Sequence, residues 1–292
     1  MCYRELQKAL DGITLPEEHN FRYPLGHSTR VTKFKDILQS KQLTPARCNI
    51  LEKDVLYCTY GAIHYLAKGE ANAELERPIG MMFNSKIVNL IDEYYPLDTG
   101  MVKGEKDYGA PNWKKSLLQI MPETKIVGNG SHINLCKLIY TLYGSHTSYM
   151  NSEINSTFKF KEKALQELQL NLKETENILG VDTRGRTIEC HLQREITLLD
   201  YLECIILPLE LESDFNRFLF PFRNRYDNLP EIIPYNSTKI FQPDECAYEV
   251  KRLSLEYVEE RYLSRQRSLV VQKTPRKAFS KGFSLKQWLW KF

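Results

Sequence analysis

The chain has 292 residues, 42% of them hydrophobic and 26% charged, with 40 Lys and Arg against 37 Asp and Glu for a formal net charge of +3. That apolar content excludes a disordered chain, and so small a net charge points to no particular class of partner. No apolar run approaches the roughly 20 residues that span a bilayer, and the start, Met1-Cys2-Tyr3-Arg4-Glu5-Leu6, has no signal-peptide core.

A short helix is predicted within residues 1–20, stopped at Pro16, and a strand follows from Phe21. Phe34, Ile37 and Leu38 recur at helical spacing, which predicts a helix over residues 32–39 with Ser28, Thr29 and Thr32 as candidate caps. Residues 41–49, holding Pro45, read as a loop. Residues 54–60 form a β-prone run, 62–68 a helical turn or two, and 77–83 a strand entered after a proline. Residues 94–121 are irregular, with Pro96, Gly100, Gly104, Gly109 and Pro111, and loops of that length are often functional.

Residues 131–143 and 158–179 read as amphipathic helices, the second with a charged, solvated face. Strand candidates follow at 187–192 and 202–207, then a short helix at 214–226, a loop region marked by Pro230, Pro234 and Pro243, and a helix at 244–267. From Arg261 to Phe292 the chain has many Lys and Arg, no Asp or Glu, and the rings Phe279, Phe283, Trp288, Trp290 and Phe292. The chain thus divides into a body, residues 1–243, and a helical, basic C-terminal extension, residues 244–292.

The 7 Cys are odd in number and scattered without a CxxC pair; Cys58, Cys190 and Cys204 lie in apolar segments and read as small core residues. That usage favours a reducing cytoplasm over a disulfide framework. The 6 His show no ligand spacing with Cys or carboxylates, so no metal site is expected.

Three islands carry chemistry. Gly26-His27-Ser28-Thr29 places an imidazole at a strand end, able to meet a ribose hydroxyl while Ser28 or Thr29 orients the ring or caps the helix. In Leu56-Tyr57-Cys58, alternation sets Tyr57 and Thr59 on one side, and a phenol there can stack on a planar heterocycle. In Thr187-Ile188-Glu189-Cys190-His191-Leu192, Thr187, Glu189 and His191 share a face, and a carboxylate on a partly buried strand is costly without a compensating role. Each also has an ordinary reading: a structural His, a core Tyr, a solvent-facing Glu on an edge strand.

In order, the islands resemble the His-Tyr-Glu branch of the ADP-ribosyltransferase superfamily over about residues 21–210. The helix with Phe34-Lys35-Asp36-Ile37-Leu38, the loop Gln42-Leu43-Thr44-Pro45 and the apolar strand Ile205-Ile206-Leu207-Pro208 fall where that branch has similar segments. The chain departs in having Ser28 directly after His27, where the branch has Gly, and Thr187 two before Glu189, so the Glu-x-Glu of arginine-modifying members is absent. The resemblance implies an α+β fold with a split, mostly antiparallel sheet and flanking helices, around a catalytic domain at 1–243. It also implies NAD as substrate, with His27, Tyr57 and Glu189 catalytic and His27, Thr29, Tyr57 and Tyr65 binding the dinucleotide.

The implied activity is ADP-ribose transfer to a macromolecule, with RNA or DNA slightly favoured over protein, in a toxin or defence setting that carries an inhibitory protein partner. Arg184 and Arg186 are lesser candidates for steering pyrophosphate or a nucleic acid; they also read as a solvated turn. The alternatives are an NAD glycohydrolase or an RNA 2′-phosphotransferase on the same fold. A non-enzymatic nucleic-acid binder acting through the basic aromatic tail is a third reading, and that tail reads equally as a helix packing through its rings.

Overall fold

The computed structural model describes residues 5–48, 51–64, 76–99, 124–128, 132–178, 187–226, 228–237 and 243–264. The strands are β1 (Leu25–Arg30), β2 (Gln42–Leu43), β3 (Ala46–Cys48), β4 (Lys53–Tyr60), β5 (Pro78–Phe83), β6 (Glu93–Tyr95), β7 (Ile126–Val127), β8 (Glu189–Leu192), β9 (Ile196–Thr197), β10 (Leu202–Pro208) and β11 (Glu231–Tyr235). Among the described residues the principal sheet has 9 strands in the order β11-β10-β5-β1-β4-β8-β6-β7, with β3 also on β4; β2 and β9 pair separately. Its pairs are antiparallel except β10 with β11. The helices are α1 (Glu5–Asp11), α2 (Val31–Ser40), α3 (Ile133–Tyr143), α4 (His146–Met150), α5 (Lys163–Ile178), α6 (Leu198–Tyr201), α7 (Glu212–Leu219) and α8 (Pro243–Val258). The protein is therefore α+β, with a mostly antiparallel sheet and flanking helices.

Pattern explains position. Every residue of β5, Pro-Ile-Gly-Met-Met-Phe, is buried, as its lack of polar alternation requires of a strand covered on both faces. On α3, Leu135, Leu138, Ile139 and Leu142 form the buried stripe, as their spacing predicts, whereas Ile133, expected on the same face, is 43% exposed at the start of the helix. Cys58, Cys190 and Cys204 are buried core residues. The expected C-terminal extension begins with α8, and this helix is built into the body: Val250 lies against β5, and Ser254 Oγ accepts a hydrogen bond from Ile63 N at 3.0 Å. Residues 265–292 of the basic block lie outside the described residues. No helix among the described residues is long and apolar enough to cross a membrane.

Several expectations are corrected. The proline-marked region contains β11, with Pro234 inside it; β11 is an edge strand, where a missing N–H leaves no ladder bond unmade. The expected loop at 41–49 is two short strands flanking Pro45. The helix expected from 158 starts at Lys163. Neither Ser28, Thr29 nor Thr32 caps α2: β1 runs unbroken into it, the N-cap is Arg30 without a side-chain bond, and Val31 N donates to Arg77 O at 3.1 Å instead.

The sheet parts at one place. β1 stays paired with β5 from Leu25 to Arg30, but with β4 it pairs only at Leu25↔Tyr60 and Gly26↔Thr59. Meanwhile β4 continues on β8 through Leu56. After Gly61, which turns the chain at φ +80°, residues 62–64 cross over β1 at Gly26. A Cβ at Gly26 would lie 2.7 Å from Ile63 Cγ1 and 3.2 Å from Ile63 N. Gly26→Ala should cost about 1–3 kcal/mol, as overpacking does, measured by chemical denaturation; unchanged stability would contradict this packing.

Behind the sheet, His146 is 1% exposed and neither ring nitrogen has a partner among the described residues. It packs edge-on against Tyr23 at 4.7 Å between centroids. Burial, with a smaller contribution from His19, lowers its pKa from 6.5 to about 3. The folded protein thus resists a proton that the unfolded chain accepts. Stability is full above pH 6.5 and falls as the pH drops toward 3, by roughly 4–5 kcal/mol over the whole window. His146→Phe should flatten the pH dependence of urea unfolding in that window, and an unchanged slope would refute the assignment.

Candidate functional site

A cleft of about 720 Å³ occupies the place where β1 and β4 part. Its walls are His27, Ser28 and Thr29 of β1, Lys33, Asp36 and Ile37 of α2, Tyr57 and Thr59 of β4, and Asp98 and Glu189. His27, Tyr57 and Glu189 thus come from β1, β4 and β8, three consecutive strands of the sheet.

His27 spans the opening. Its Nδ1 lies 2.6 Å from Tyr57 O. A carbonyl only accepts, so the proton of this bond sits on Nδ1 and the neutral ring presents Nε2 as an acceptor. Burial holds its pKa below the ordinary histidine range, against the opposing pull of the Tyr57 carbonyl. Thr29 shares its face of β1, and Ser28 Oγ is buried with no partner among the described residues.

Glu189 is 6% exposed and fully engaged on one oxygen. Thr99 Oγ1 donates to Oε1 at 2.6 Å, Thr99 N donates to Oε2 at 3.1 Å, and His191 Nε2 donates to Oε1 at 2.5 Å. A carboxylate has about four lone-pair directions, so one on Oε2 is left for a ligand. His191 is wholly buried, with Tyr57 and Tyr95 rings 5.1 and 5.2 Å from its own. Its Nδ1 is 4.0 Å from Glu93 Oε2, and Glu93 is in turn bonded by Lys53 and lies 3.5 Å from Lys125. Burial alone would raise the Glu93 carboxyl, but Lys53, Lys125 and His191 outweigh it and hold the group ionised below its usual pKa. The registers Thr59↔Glu189 and Tyr57↔His191 keep all four side chains on one face.

Tyr57 is fixed at both ends. Its OH donates to Cys48 Sγ at 2.7 Å, and its ring meets His191 at an interplanar angle of 83°. Burial, then the Cys48 bond and the nearby Glu189 and Asp98 charges, push its pKa far up, so the phenol stays protonated. The ring, not the hydroxyl, is what Tyr57 offers a ligand. Among the described lining residues Asp36, Asp98 and Glu189 outnumber the single cation Lys33, which favours a cationic group of a ligand at these side chains.

Of the residues singled out from sequence, His27, Thr29, Tyr57 and Glu189 come together in this cleft. Tyr65, Arg184 and Arg186 lie outside the described residues. Sequence reasoning missed Thr99, Cys48, Lys33, Asp36 and Asp98. Thr99 comes from the long irregular stretch and meets a carboxylate 90 positions away, a pairing no local pattern announces. His191 was visible only as a face-mate of Glu189. Among the described residues no cluster of His, Cys, Asp or Glu could hold a metal ion. The chain matches no protein-family model, and no curated protein matches it.

Thr99→Val keeps the shape and removes the hydroxyl donor to a buried carboxylate, so stability should fall by about 1.5–3 kcal/mol. Adding Glu189→Gln should then cost less than it does alone, the signature of a direct coupling in a double-mutant cycle. Strict additivity in urea melts would show that the pair does not interact.

Proposed function

We propose that the cleft binds NAD and transfers its ADP-ribose to an acceptor. The observation that carries this reading is the convergence of an acceptor imidazole, a clamped aromatic ring and a buried, hydrogen-bonded carboxylate on three adjacent strands around one cavity. In this reading His27 Nε2 accepts a hydrogen bond from a ribose hydroxyl, with Thr29 beside it. The Tyr57 ring packs on the nicotinamide, with Tyr65 as its partner from the other side. The acidic lining suits the cationic nicotinamide ring.

The reaction breaks the bond between nicotinamide nitrogen and ribose C1′, and the electron pair leaves with nicotinamide, which departs neutral. Positive charge develops on the ribose, as in glycoside hydrolysis. Glu189 then accepts a hydrogen bond from the 2′-hydroxyl through the free direction on Oε2 and stabilises the cation. The acceptor's nucleophilic atom bonds to C1′, and its proton passes to the carboxylate. Thr99 and His191 hold that carboxylate in place throughout, so it does not reorganise as charge appears.

Water as acceptor makes the same site a glycohydrolase. An RNA 2′-phosphotransferase needs a basic cluster, whereas the cleft has Lys33 alone among its described lining and Arg30 is tied to Glu76. Glu189→Gln keeps the side chain's shape and removes its charge; it should retain NAD binding by calorimetry and lose about 100-fold or more in nicotinamide release. Incubation with NAD labelled on the adenylate half then reports whether RNA, DNA, protein or none keeps the label. Undiminished turnover by Glu189→Gln would overturn the reading.

A further inference from the structure

One surface beside the cleft is unused by this chemistry. From Phe215 to Tyr226 the sequence Phe-Asn-Arg-Phe-Leu-Phe-Pro-Phe-Arg-Asn-Arg-Tyr has three arginines and no acid. Its rings form a ladder from core to solvent: Phe34 to Phe215 at 5.9 Å, Phe215 to Phe218 at 5.7 Å, and Phe218 to Phe222 at 5.6 Å. Phe220, in the same turn as Phe222, is 68% exposed, the highest value among the large hydrophobic residues described. Pro221 lies in the same 3-10 turn and stiffens it.

The cations sit among these rings. The Arg223 guanidinium lies 5.6 Å from the Phe220 centroid and Lys41 Nζ lies 5.2 Å from that of Phe222. Arg223 and Arg225 are exposed and have no ion pair among the described residues. The neighbouring acids are already engaged in part: Glu210 by Arg77 and Ser237, Asp214 by Arg217, and Asp200 by Tyr226 OH. The patch abuts the cleft, because Lys41 lies between Ser40 and Gln42, both lining residues, and Phe34 packs it onto the back of the helix that forms one wall.

We propose that this patch binds a single-stranded polynucleotide and guides it to the cleft as the acceptor. Bases have π-faces that stack on exposed rings, and phosphates pair with exposed arginines that no described acid engages, which is the combination Phe220, Arg223 and Arg225 present. A duplex hides its base faces and is not a match. A membrane surface is a poorer one, since a single ring of the patch projects. The binding claim stands on this surface alone; the acceptor role rests on the reading of the cleft given above.

The test uses the full chain and a fluorescently labelled mixed-sequence single strand of about 15 nucleotides, as DNA and as RNA. Binding is followed by anisotropy across a salt series. Phe220→Ala should weaken binding about tenfold. Arg223→Ala with Arg225→Ala should lower the slope of log affinity against log salt by about 1.4, or roughly 0.7 per phosphate contact on a single strand. All three side chains are exposed, and circular dichroism checks the fold. Wild-type affinity in both variants overturns the proposal, as does equal binding of a duplex or preferential binding of vesicles containing phosphatidylserine. Nicotinamide release without oligonucleotide is measured in parallel. Its retention in the arginine variants, with label transfer lost, supports the acceptor role; its absence in the wild type refutes the reading of the cleft and leaves the binding result standing.

Discussion

The rest of the site depends on the hydrogen bond between His27 and the backbone carbonyl of Tyr57. Where β1 and β4 stop pairing, a strand carbonyl loses its ladder partner, and an unpartnered buried carbonyl is expensive. The imidazole satisfies that carbonyl at 2.6 Å, and in doing so holds the two strands at the width of one side chain. A full ladder here would close the cleft, and a wider gap would strand the carbonyl. The same bond fixes which ring nitrogen carries the proton and so what chemistry the histidine can offer.

The two sides of the opening are held differently. On one side, β1 is pinned to β5 along its whole length, in the most buried part of the sheet. On the other, the register of β4 on β8 sets Tyr57 edge-on to His191 and Thr59 beside Glu189. The carboxyl group is thus buried and surrounded by donors before any ligand arrives, which is the condition under which a fixed group is most effective. Lys53 and Lys125 stabilise Glu93 behind His191, so the negative charge at the front of the network has a compensated one behind it.

Much of this was legible from residue patterns. Period-2 alternation put Glu189 and His191 on one face, and apolar runs located β5 and β10. The misses share one cause: tertiary partners replaced local signals. The start of α2 needed no cap because Arg77, just before β5, supplies the carbonyl. Pro234 was tolerated in a strand because that strand lies at the edge. Thr99 was hidden because its role exists only once the stretch leading to it folds back across β8. Cys48 read as unremarkable because nothing local says that a phenol nine residues later will bond to it.

The bond from Ile63 N to Ser254 carries a consequence for biosynthesis. Residues 62–64 cross over Gly26 and help form the cleft, yet they are tied to a helix 191 positions further along the chain. β8, which brings Glu189, is likewise a late arrival. A nascent chain that has completed β1, α2 and β4 therefore lacks Glu189, and even with β8 in place it still lacks the support that α8 gives the crossing. The cavity is assembled only after the chain as far as α8 has left the ribosome, so a nascent chain that stops short of α8 has no complete cleft.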